Sequence, residues 1–125
     1  MYKFWGKVQT HNKRGKKLGF PTANIALHQD IPEGIYISKT KVNRQIYGSV
    51  TFIGIAKTFN EKKFHAETYI LDFNQDVYGE WISVELIKKI RGNIKFNSAE
   101  ELVKQMKEDE KSARNFFLKL ARLLL

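Results

Sequence analysis

The sequence predicts a mainly β protein, a closed or nearly closed antiparallel barrel followed by one long C-terminal helix. Three observations carry this prediction. Apolar and polar residues alternate with a period of two through the first three-quarters of the 125 residues. Turn-forming residues interrupt the alternation about every ten residues, which is typical of short strands joined in sequence. After Ser98 the apolar period changes to the spacing of a helix.

Strand-like alternation occurs in six segments. In the first, Tyr2, Phe4 and Val8 share one face. Asn43 and Arg44 separate two segments rich in β-branched and aromatic residues, and they predict a hairpin. The six predicted strands are residues 2–9, 22–27, 34–42, 45–55, 64–73 and 80–91.

The last quarter of the chain has the signals of a single helix. Ser98 and Glu101 have the spacing of a capping box at its start. An apolar stripe follows, which we expect to pack on the barrel. We therefore predict one domain over residues 1–125, with the barrel over about 2–91 and the helix over about 98–124. The stripe consists of Leu102, Met106, Ala113, Phe116 or Phe117, Leu120 and Leu124.

Composition excludes several classes of protein. The absence of cysteine excludes a disulfide framework and a thiolate metal site. No apolar run approaches the roughly 18 residues of a membrane span, and the N-terminal residues do not resemble a signal peptide. The expected location is therefore the cytoplasm, without membrane association.

The formal net charge of +9 has three interpretations. Basic side chains could neutralise the phosphates of a nucleic acid, attract a small polyanion such as ATP, or form a solvated surface. The charges are scattered along the chain without a long basic tail, which favours the solvated surface. A nucleic-acid partner is therefore not expected.

A loop between the first two predicted strands is suited to binding phosphate. Gly15 and Gly19 let the backbone approach an anion closely, and Lys16 and Lys17 can balance phosphate charge. The spacing is neither that of a P-loop nor that of a dinucleotide-binding loop. From these residues alone, a solvated basic turn is the alternative interpretation.

Two oxygen donors follow this loop. Thr22 offers a hydroxyl and Asn24 an amide oxygen, which are ligands that Mg²⁺ accepts. Two residues apart on a strand, they would point to the same side, and Pro21 fixes the backbone just before them. Thr22 and Asn24 are therefore candidate ligands of a divalent cation.

Five sequence blocks occur in a characteristic order. They are L-G-F-P-T-A-N at 18–24, G-I-Y at 34–36, E-x-x-I-L-D at 67–72, D-x-Y-G at 76–79 and R-G-x-x-K-F-x-S-x-E-E-L at 91–102. In this order they resemble the riboflavin kinase family, in particular the C-terminal kinase domain of the bacterial bifunctional riboflavin kinase/FAD synthetase. The resemblance implies a six-stranded Greek-key barrel with a C-terminal helix, in agreement with the periodicity.

The resemblance also implies a reaction, the ATP-dependent phosphorylation of riboflavin at its ribityl 5′-hydroxyl to give FMN and ADP. ATP would be the co-substrate, and Mg²⁺ or another divalent cation the cofactor. Glu67 matches the family's general base, and Thr22 and Asn24 match its metal ligands. The positions that match nucleotide-binding residues are Gly15, Lys16, Lys17, Gly19, Thr22, Ile70 and Tyr78. Those that match flavin-binding residues are Arg91, Lys95 and Phe96.

The chain departs from the family pattern at four places. Residues 55–58 stand where the family usually has a proline near Asn or Arg. Residues 11–14 stand where the family commonly has a glycine-rich run. Tyr69 occupies the position of a histidine, and Asn93 that of a glutamate.

Alternatives stay open at this point. The second candidate function is a non-catalytic barrel that binds flavin or nucleic acid. Trp5, Phe59, Phe73 and Trp81 could stack on a flavin ring, although we favour a place in the barrel core for each. The sequence starts almost on the first strand and fits either a monofunctional kinase or the excised kinase part of a bifunctional FAD synthetase. A monomer is expected.

Overall fold

The computed structural model describes residues 1–9, 19, 21–58 and 61–124, with the backbone alone at 56–58, 61 and 62. Over these residues the chain forms six strands and one helix. The helix, α1, spans Ala99–Leu123. The strands are β1 (Lys3–Lys7), β2 (Ala23–Leu27), β3 (Gly34–Val42), β4 (Gln45–Thr58), β5 (Glu61–Ile70) and β6 (Trp81–Arg91).

The six strands form one antiparallel sheet in the order β1-β6-β3-β4-β5-β2. Strands β3, β4 and β5 pair consecutively, and β6 returns to pair with β3 on its other side. Three consecutive strands with the fourth beside the first constitute a Greek key. The predicted mainly β architecture, with its Greek key and C-terminal helix, is therefore confirmed.

The two edge strands, β1 and β2, approach each other and nearly close the sheet into a barrel. The backbone N–H of Gln9 donates to the carbonyl oxygen of Asn24 at 2.8 Å, in an isolated bridge just beyond β1. Gly6 permits this approach, because a Cβ at its position would collide with the Ile25 side chain. Closure thus brings the end of β1 beside Asn24.

Local turns set the lengths of the strands. The hairpin predicted at Asn43 and Arg44 is confirmed, and their φ angles of 48° and 71° are those that a two-residue type I′ turn requires. The fifth strand differs from its predicted span of 64–73. It begins at Glu61, because pairing with β4 continues to the end of that strand. It ends before Asp72, whose φ of 55° belongs to a turn.

The barrel interior combines apolar side chains with a chain of buried hydroxyl groups. These hydroxyls come from β3, β4 and β5 and are at most 1% exposed. Four hydrogen bonds of 2.6–2.9 Å link them in the order Thr40, Ser49, Ser38, Thr51 and Thr68. A hydroxyl can donate one hydrogen bond and accept another, so the chain keeps these polar groups paired inside the core.

The aromatic residues expected in the core divide into two groups. Phe73 is partly buried against the core and meets Tyr47 edge-on, with ring centroids 5.0 Å apart. Trp5 and Trp81 are 70% and 65% exposed, so the favoured core placement of these two is wrong. On β1, Trp5 has the opposite parity to buried Phe4 and therefore points outward. Phe59 lies outside the described residues.

Helix α1 begins at the predicted cap. Ser98 accepts a hydrogen bond from the backbone N–H of Glu101 at 3.2 Å. The Glu101 carboxylate in turn accepts one from the backbone N–H of Asn97 at 3.1 Å.

No helix in the described part of the chain is long and apolar enough to cross a membrane.

The middle of the apolar stripe of α1 packs on the outside of the barrel, as predicted, whereas Leu124 lies just beyond the helix and is 81% exposed. Ala113 is fully buried against the barrel, and Phe116 and Phe117 are partly buried beside it. The barrel side of this contact comes from β3, β4, β5, the residue just after β5, and β6. Its members are Ile37, Val50, Tyr69, Leu71 and Ile90.

Gly48 of β4 leaves room for the Phe117 ring of α1. A Cβ at this position would lie 2.7 Å from Phe117 Cε2. We expect Gly48→Ala to destabilise the protein by about 1–3 kcal/mol, because the ring must leave the surface on which it packs. Thermal unfolding would report the loss as a lower midpoint, and adding Phe117→Leu should recover part of it. An unchanged midpoint in Gly48→Ala would contradict this account of the contact.

Candidate functional site

The predicted metal ligand and the predicted base lie side by side on the outer surface of the barrel. In the pairing of β2 with β5, Asn24 is directly opposite Glu67. Side chains in directly opposite positions of an antiparallel pair have Cβ atoms about 4.5–5.5 Å apart. Ala23 and Ile25 are buried in the interior, so Asn24 between them points outward. The fold therefore brings together two residues that are distant in sequence.

The side-chain oxygen of Asn24 is buried and has no hydrogen-bond partner among the described residues. A buried polar atom left in this state costs about 1–3 kcal/mol, so its presence in a folded protein calls for a reason. The bridge from Gln9 holds the backbone of Asn24 in place. A rigidly placed oxygen without a partner fits a cation that takes oxygen ligands, as Mg²⁺ does.

Thr22 lies one residue before β2 and is half-buried. It has the same parity as Asn24, so an extended backbone points both side chains to the outer surface. Within the described ranges, no cluster of three or more His, Cys, Asp or Glu side chains could hold a metal ion. A cation here would therefore rest on the neutral oxygens of Thr22 and Asn24 together with the oxygens of its ligand.

Glu67 is half-buried in the middle of β5, with an aromatic wall on its other side. In the pairing of β4 with β5 it is opposite Phe52. The Phe52 ring lies 5.8 Å from the ring of His65, which shares the outer face of β5 with Glu67. Gly54 leaves space for these rings, because a Cβ there would be 2.7 Å from Phe52 Cε1 and 2.9 Å from His65 Cε1. Glu67 is thus flanked on the outer surface by Asn24 on one neighbouring strand and Phe52 on the other.

Tyr69, which replaces the family's histidine, connects the Glu67 strand to α1. Its hydroxyl hydrogen-bonds to the Glu110 carboxylate, and burial together with that carboxylate raises the pKa of the phenol. Arg114 extends the network, since its Nε donates to Glu110 Oε2 at 3.0 Å and its Nη1 to Asp72 Oδ2 at 3.1 Å. The hydrogen bond from Arg114 lowers the pKa of Asp72. Tyr69 therefore belongs to the contact between β5 and the helix.

The residues expected around the nucleotide are only partly described. Gly15, Lys16 and Lys17 lie outside the described residues. Gly19 is exposed and has a φ of 89°, a conformation that glycine adopts without strain. Its backbone therefore fits the close approach to an anion that the sequence suggested.

Of the other two residues expected near the nucleotide, Ile70 is buried and Tyr78 is exposed. The Ile70 side chain is in the core, so only its backbone could meet a ligand outside the barrel. Tyr78 is 60% exposed in the turn before β6. The N–H of the following residue, Gly79, donates to the carbonyl oxygen of Val8 at 2.9 Å and holds this turn against the end of β1. Tyr78 thus adjoins the same end of β1 as Asn24 does.

Arg91, expected near the flavin, is bound to α1 in this structure. Its Nε donates to Asp109 Oδ1 at 2.9 Å and its Nη2 to Asp109 Oδ2 at 2.7 Å. The two side chains are only 16% and 8% exposed. Gln105 also donates to Asp109 Oδ1, at 3.1 Å, and the remaining Arg91 Nη1 donates to the Gly92 carbonyl oxygen, at 3.1 Å. Arg91 therefore fastens the start of the segment 92–98 to the helix that follows that segment.

The segment 92–98 holds the other two residues expected near the flavin. Lys95 is exposed and Phe96 is half-buried. Asn93 ties the segment to the loop before β3, because its Nδ2 donates to Glu33 Oε2 at 2.8 Å. The family's glutamate at this position would meet Glu33 with like charge. Asparagine at position 93 is thus compatible with Glu33, to which it donates a hydrogen bond.

Asp109 is the residue of this region that sequence reasoning missed. It lies on the apolar stripe of α1, three residues after Met106 and four before Ala113. Aspartate is almost never fully buried unless it is paired, so its position in the stripe was a signal of a cationic partner. The partner, Arg91, could not be read from local spacing.

Comparison with known proteins gives this site its context. The riboflavin kinase (flavokinase) family model matches residues 1–117. The chain is 44% identical over 117 residues to the trifunctional protein RibF/MnmA of Mycoplasmoides gallisepticum. This match covers 91% of this chain and 18% of that protein. It is 40% identical over 121 residues to the bifunctional riboflavin kinase/FMN adenylyltransferase of Bacillus subtilis. This match covers 92% of this chain and 38% of that protein.

A solved structure adds the fold. The crystal structure of riboflavin kinase from Trypanosoma brucei matches with a TM-score of 0.65 and 25% identity, over 94% of this chain and 80% of that one. The chain spans less than two-fifths of the two curated relatives described above. The family match covers nearly all of this sequence and confirms the resemblance found in its motifs, and the chain therefore belongs to the riboflavin kinase family.

Proposed function

We propose that this protein transfers the γ-phosphoryl group of ATP to the ribityl 5′-hydroxyl of riboflavin, giving FMN and ADP. The observation that carries the proposal is the buried side-chain oxygen of Asn24, which has no hydrogen-bond partner among the described residues and belongs to the residue directly opposite Glu67. A cation ligand beside a base is the arrangement that phosphoryl transfer to an alcohol needs. Membership of the riboflavin kinase family supports riboflavin as the acceptor.

Glu67 acts as the general base in this proposal. As the 5′-oxygen of riboflavin forms its bond to the γ-phosphorus, the bond from that phosphorus to the bridging oxygen breaks and ADP leaves. The hydroxyl proton passes to the Glu67 carboxylate. A positioned base typically contributes about 10²–10⁴-fold to the rate. A place in the middle of a paired strand suits this role, because strands hold side chains more rigidly than loops do.

Thr22 and Asn24 hold the divalent cation, Mg²⁺ or a related ion, through their hydroxyl and amide oxygens. When bound, the cation neutralises the charge that develops on the phosphate oxygens during transfer. Two protein ligands suit Mg²⁺, which usually keeps waters and phosphate oxygens as its remaining ligands. No carboxylate is needed among the protein ligands, because the phosphates supply the negative charge.

We assign the nucleotide to the end of the barrel at which β1 meets β2. Asn24 and the turn of Tyr78 both adjoin the end of β1 there, through the backbone bonds of Gln9 and Gly79. The basic glycine loop would bind the phosphates by its N–H groups and ammonium groups. The assigned nucleotide-binding residues are Gly15, Lys16, Lys17, Gly19, Thr22, Tyr78 and the backbone of Ile70.

We assign the flavin to the segment 92–98. Phe96 offers a half-buried ring, and Lys95 an exposed cation, for contact with the isoalloxazine system. Arg91 would place this segment through its bond to Asp109. The tie from Asn93 to Glu33 holds the other side of the segment.

The test of the function is a product assay. Purified protein with riboflavin, ATP and Mg²⁺ should form FMN and ADP in equal amounts, separated by chromatography. Removal of the divalent cation by a chelator should abolish the product. Flavin binding without turnover, across several divalent cations and nucleoside triphosphates, would support the non-catalytic barrel instead.

The proposal is limited to the kinase step. The FMN adenylyltransferase activity named for the Bacillus subtilis relative belongs to that protein, of which this chain matches 38%. We infer that the kinase works as a monomer in the cytoplasm, where ATP is available. Size-exclusion chromatography coupled to light scattering would test the monomeric state.

Asn24→Leu is expected to weaken Mg²⁺-dependent ATP binding by at least about tenfold, because one ligand oxygen is lost with little change in volume. The same change should leave the free protein as stable or more stable, since it removes a buried oxygen that has no partner in the described part of the chain. Calorimetric titration of Mg-ATP and thermal unfolding would measure the two effects. Asn24→Asp, which keeps an oxygen at the same place, is the matched control and should retain binding. Lower stability together with unchanged Mg-ATP affinity in Asn24→Leu would mean that Asn24 is structural.

A further inference from the structure

The outer surface of β1, β6 and β3 carries two exposed indole rings among lysines. Trp5 and Trp81 are 70% and 65% exposed. We name this surface the tryptophan face and define it by the outward residues of β1, of the β6 residues that pair with β1, and of the β3 residues that pair with those β6 residues. They are Lys3, Trp5, Lys7, Lys39, Lys41, Trp81, Ser83 and Glu85.

Strand register arranges the tryptophan face in rows. In one row Glu85 pairs with both Lys3 and Lys39. In the next row Ser83 pairs with both Trp5 and Lys41. In the third row Lys7 pairs with Trp81. Each indole therefore has a lysine directly across from it or two residues along its own strand.

The charge of this face is strongly unbalanced. Its eight positions hold four lysines and one glutamate. The lysines come from two strands that are far apart in sequence, β1 and β3, and pairing with β6 brings them onto one surface. Charges that are scattered along the chain are therefore concentrated by the fold. The sequence-based expectation of a uniformly solvated surface did not take this arrangement into account.

We propose that the tryptophan face binds single-stranded nucleic acid. Exposed aromatic rings offer stacking surfaces for unpaired bases, and lysines between them offer cations for the phosphates. Sheet surfaces with aromatic residues are a common way to bind single strands. Trp5 lies between Lys3 and Lys7 on one strand face, so a stacked base would have a cation on each side along the strand.

Other partners fit the tryptophan face less well. A membrane surface or an apolar protein partner would favour adjoining apolar side chains. Here the two indoles are diagonal neighbours across β1 and β6, and the positions beside them on this face are Ser83 and lysines. Four lysines against one glutamate complement a polyanion, and the rings select an anion that also has flat bases.

The centre of the tryptophan face lies on the other side of the barrel from Glu67. In the nearly closed order of strands, β6 is three strands from β5 in either direction. Trp5 is therefore remote from Glu67, whereas Lys7 and Trp81 lie near the turn of Tyr78 at the end of β1. This inference does not rest on the kinase activity.

The test is binding of a fluorescently labelled uridine 12-mer, followed by anisotropy and by quenching of tryptophan fluorescence. If the four lysines each neutralise one phosphate, affinity should fall about 50-fold between 50 and 200 mM salt. Trp5→Ala should weaken binding about tenfold, as expected for one lost stacking partner, and Trp5→Phe should keep part of the affinity.

Matched charge changes separate this face from general electrostatics. Lys41→Glu on the tryptophan face and Lys111→Glu on α1 change the net charge equally, and both lysines are exposed. The proposal requires that Lys41→Glu weaken binding several-fold more than Lys111→Glu does. Thermal unfolding of each variant checks that the fold is kept.

Three results would overturn the proposal. One is the absence of binding to the 12-mer at 50 mM salt. Another is an equal effect of Lys41→Glu and Lys111→Glu. The third is quenching of tryptophan fluorescence by anionic vesicles, or on self-association of the protein, without quenching by the oligonucleotide.

Discussion

Glu67→Gln is expected to lower kcat for FMN formation by about 10²–10⁴-fold, while riboflavin and Mg-ATP still bind. Glutamine keeps the size of the side chain and its place in β5, but it cannot take up the proton of the 5′-hydroxyl. Proton removal belongs to the transition state and not to the bound ground state, so KM should change much less than kcat. Steady-state measurement of FMN formation yields both constants, and quenching of riboflavin fluorescence reports binding.

Glu85→Gln is the matched control for this change. Glu85 is also a half-buried strand glutamate, but it lies on β6 between Lys3 and Lys39 and away from β5. We expect turnover close to that of the wild type in this variant. Equal losses in Glu67→Gln and Glu85→Gln would indicate a general effect on the fold, and wild-type turnover in Glu67→Gln would show that Glu67 is not the base.

The architecture could be predicted because its signals are local. Alternation with a period of two locates the strands, Asn43 and Arg44 locate the hairpin, and Ser98 locates the start of the helix. The errors arose where pairing with a distant strand decides the outcome. Residues at the start of β5 are charged and do not look like a strand, yet β4 extends far enough to pair with them. Trp5 shows the opposite case, since its parity on β1 already excluded it from the core.

The candidate site could be predicted only in part. Thr22 and Asn24 are near each other in sequence and could be proposed as a pair from their oxygens alone. The approach of Asn24 to Glu67 depends on the register of β2 with β5, which no local pattern specifies. The family resemblance alone indicated, before the fold was known, that Asn24 and Glu67 belong to one site. The partner of Arg91 was not foreseen, because it depends on how α1 docks on the barrel.

Replacing Asp109 by leucine is expected to destabilise the protein by about 3–5 kcal/mol, because the Arg91 guanidinium is left buried without its counter-charge. The pair is bidentate, and its side chains are 16% and 8% exposed. The double variant Arg91→Met/Asp109→Leu should recover most of the loss, since apolar side chains of similar size can replace a buried ion pair. Denaturant unfolding gives the free energy of each variant.

Arg114→Met provides the comparison for an exposed ion pair. Arg114 forms salt bridges with Asp72 at 3.1 Å and with Glu110 at 3.0 Å, and the three side chains are 39%, 78% and 27% exposed. Solvent screens exposed pairs, so this variant should lose far less stability than Asp109→Leu does. A loss in Asp109→Leu no larger than that in Arg114→Met would contradict the anchoring role of the buried pair.

The same variants decide how Arg91 acts on the flavin. If Arg91 serves by placing the segment 92–98, then KM for riboflavin should rise by similar factors in Arg91→Met and Asp109→Leu, because either change releases the same anchor. Direct contact with the flavin would instead make Arg91→Met the far larger effect, since Asp109 is buried beneath the guanidinium. We expect similar factors, because the three nitrogens of Arg91 already donate to Asp109 and to the Gly92 carbonyl oxygen. Arg91 is on this argument a positioning residue, and the flavin contacts fall to Lys95 and Phe96.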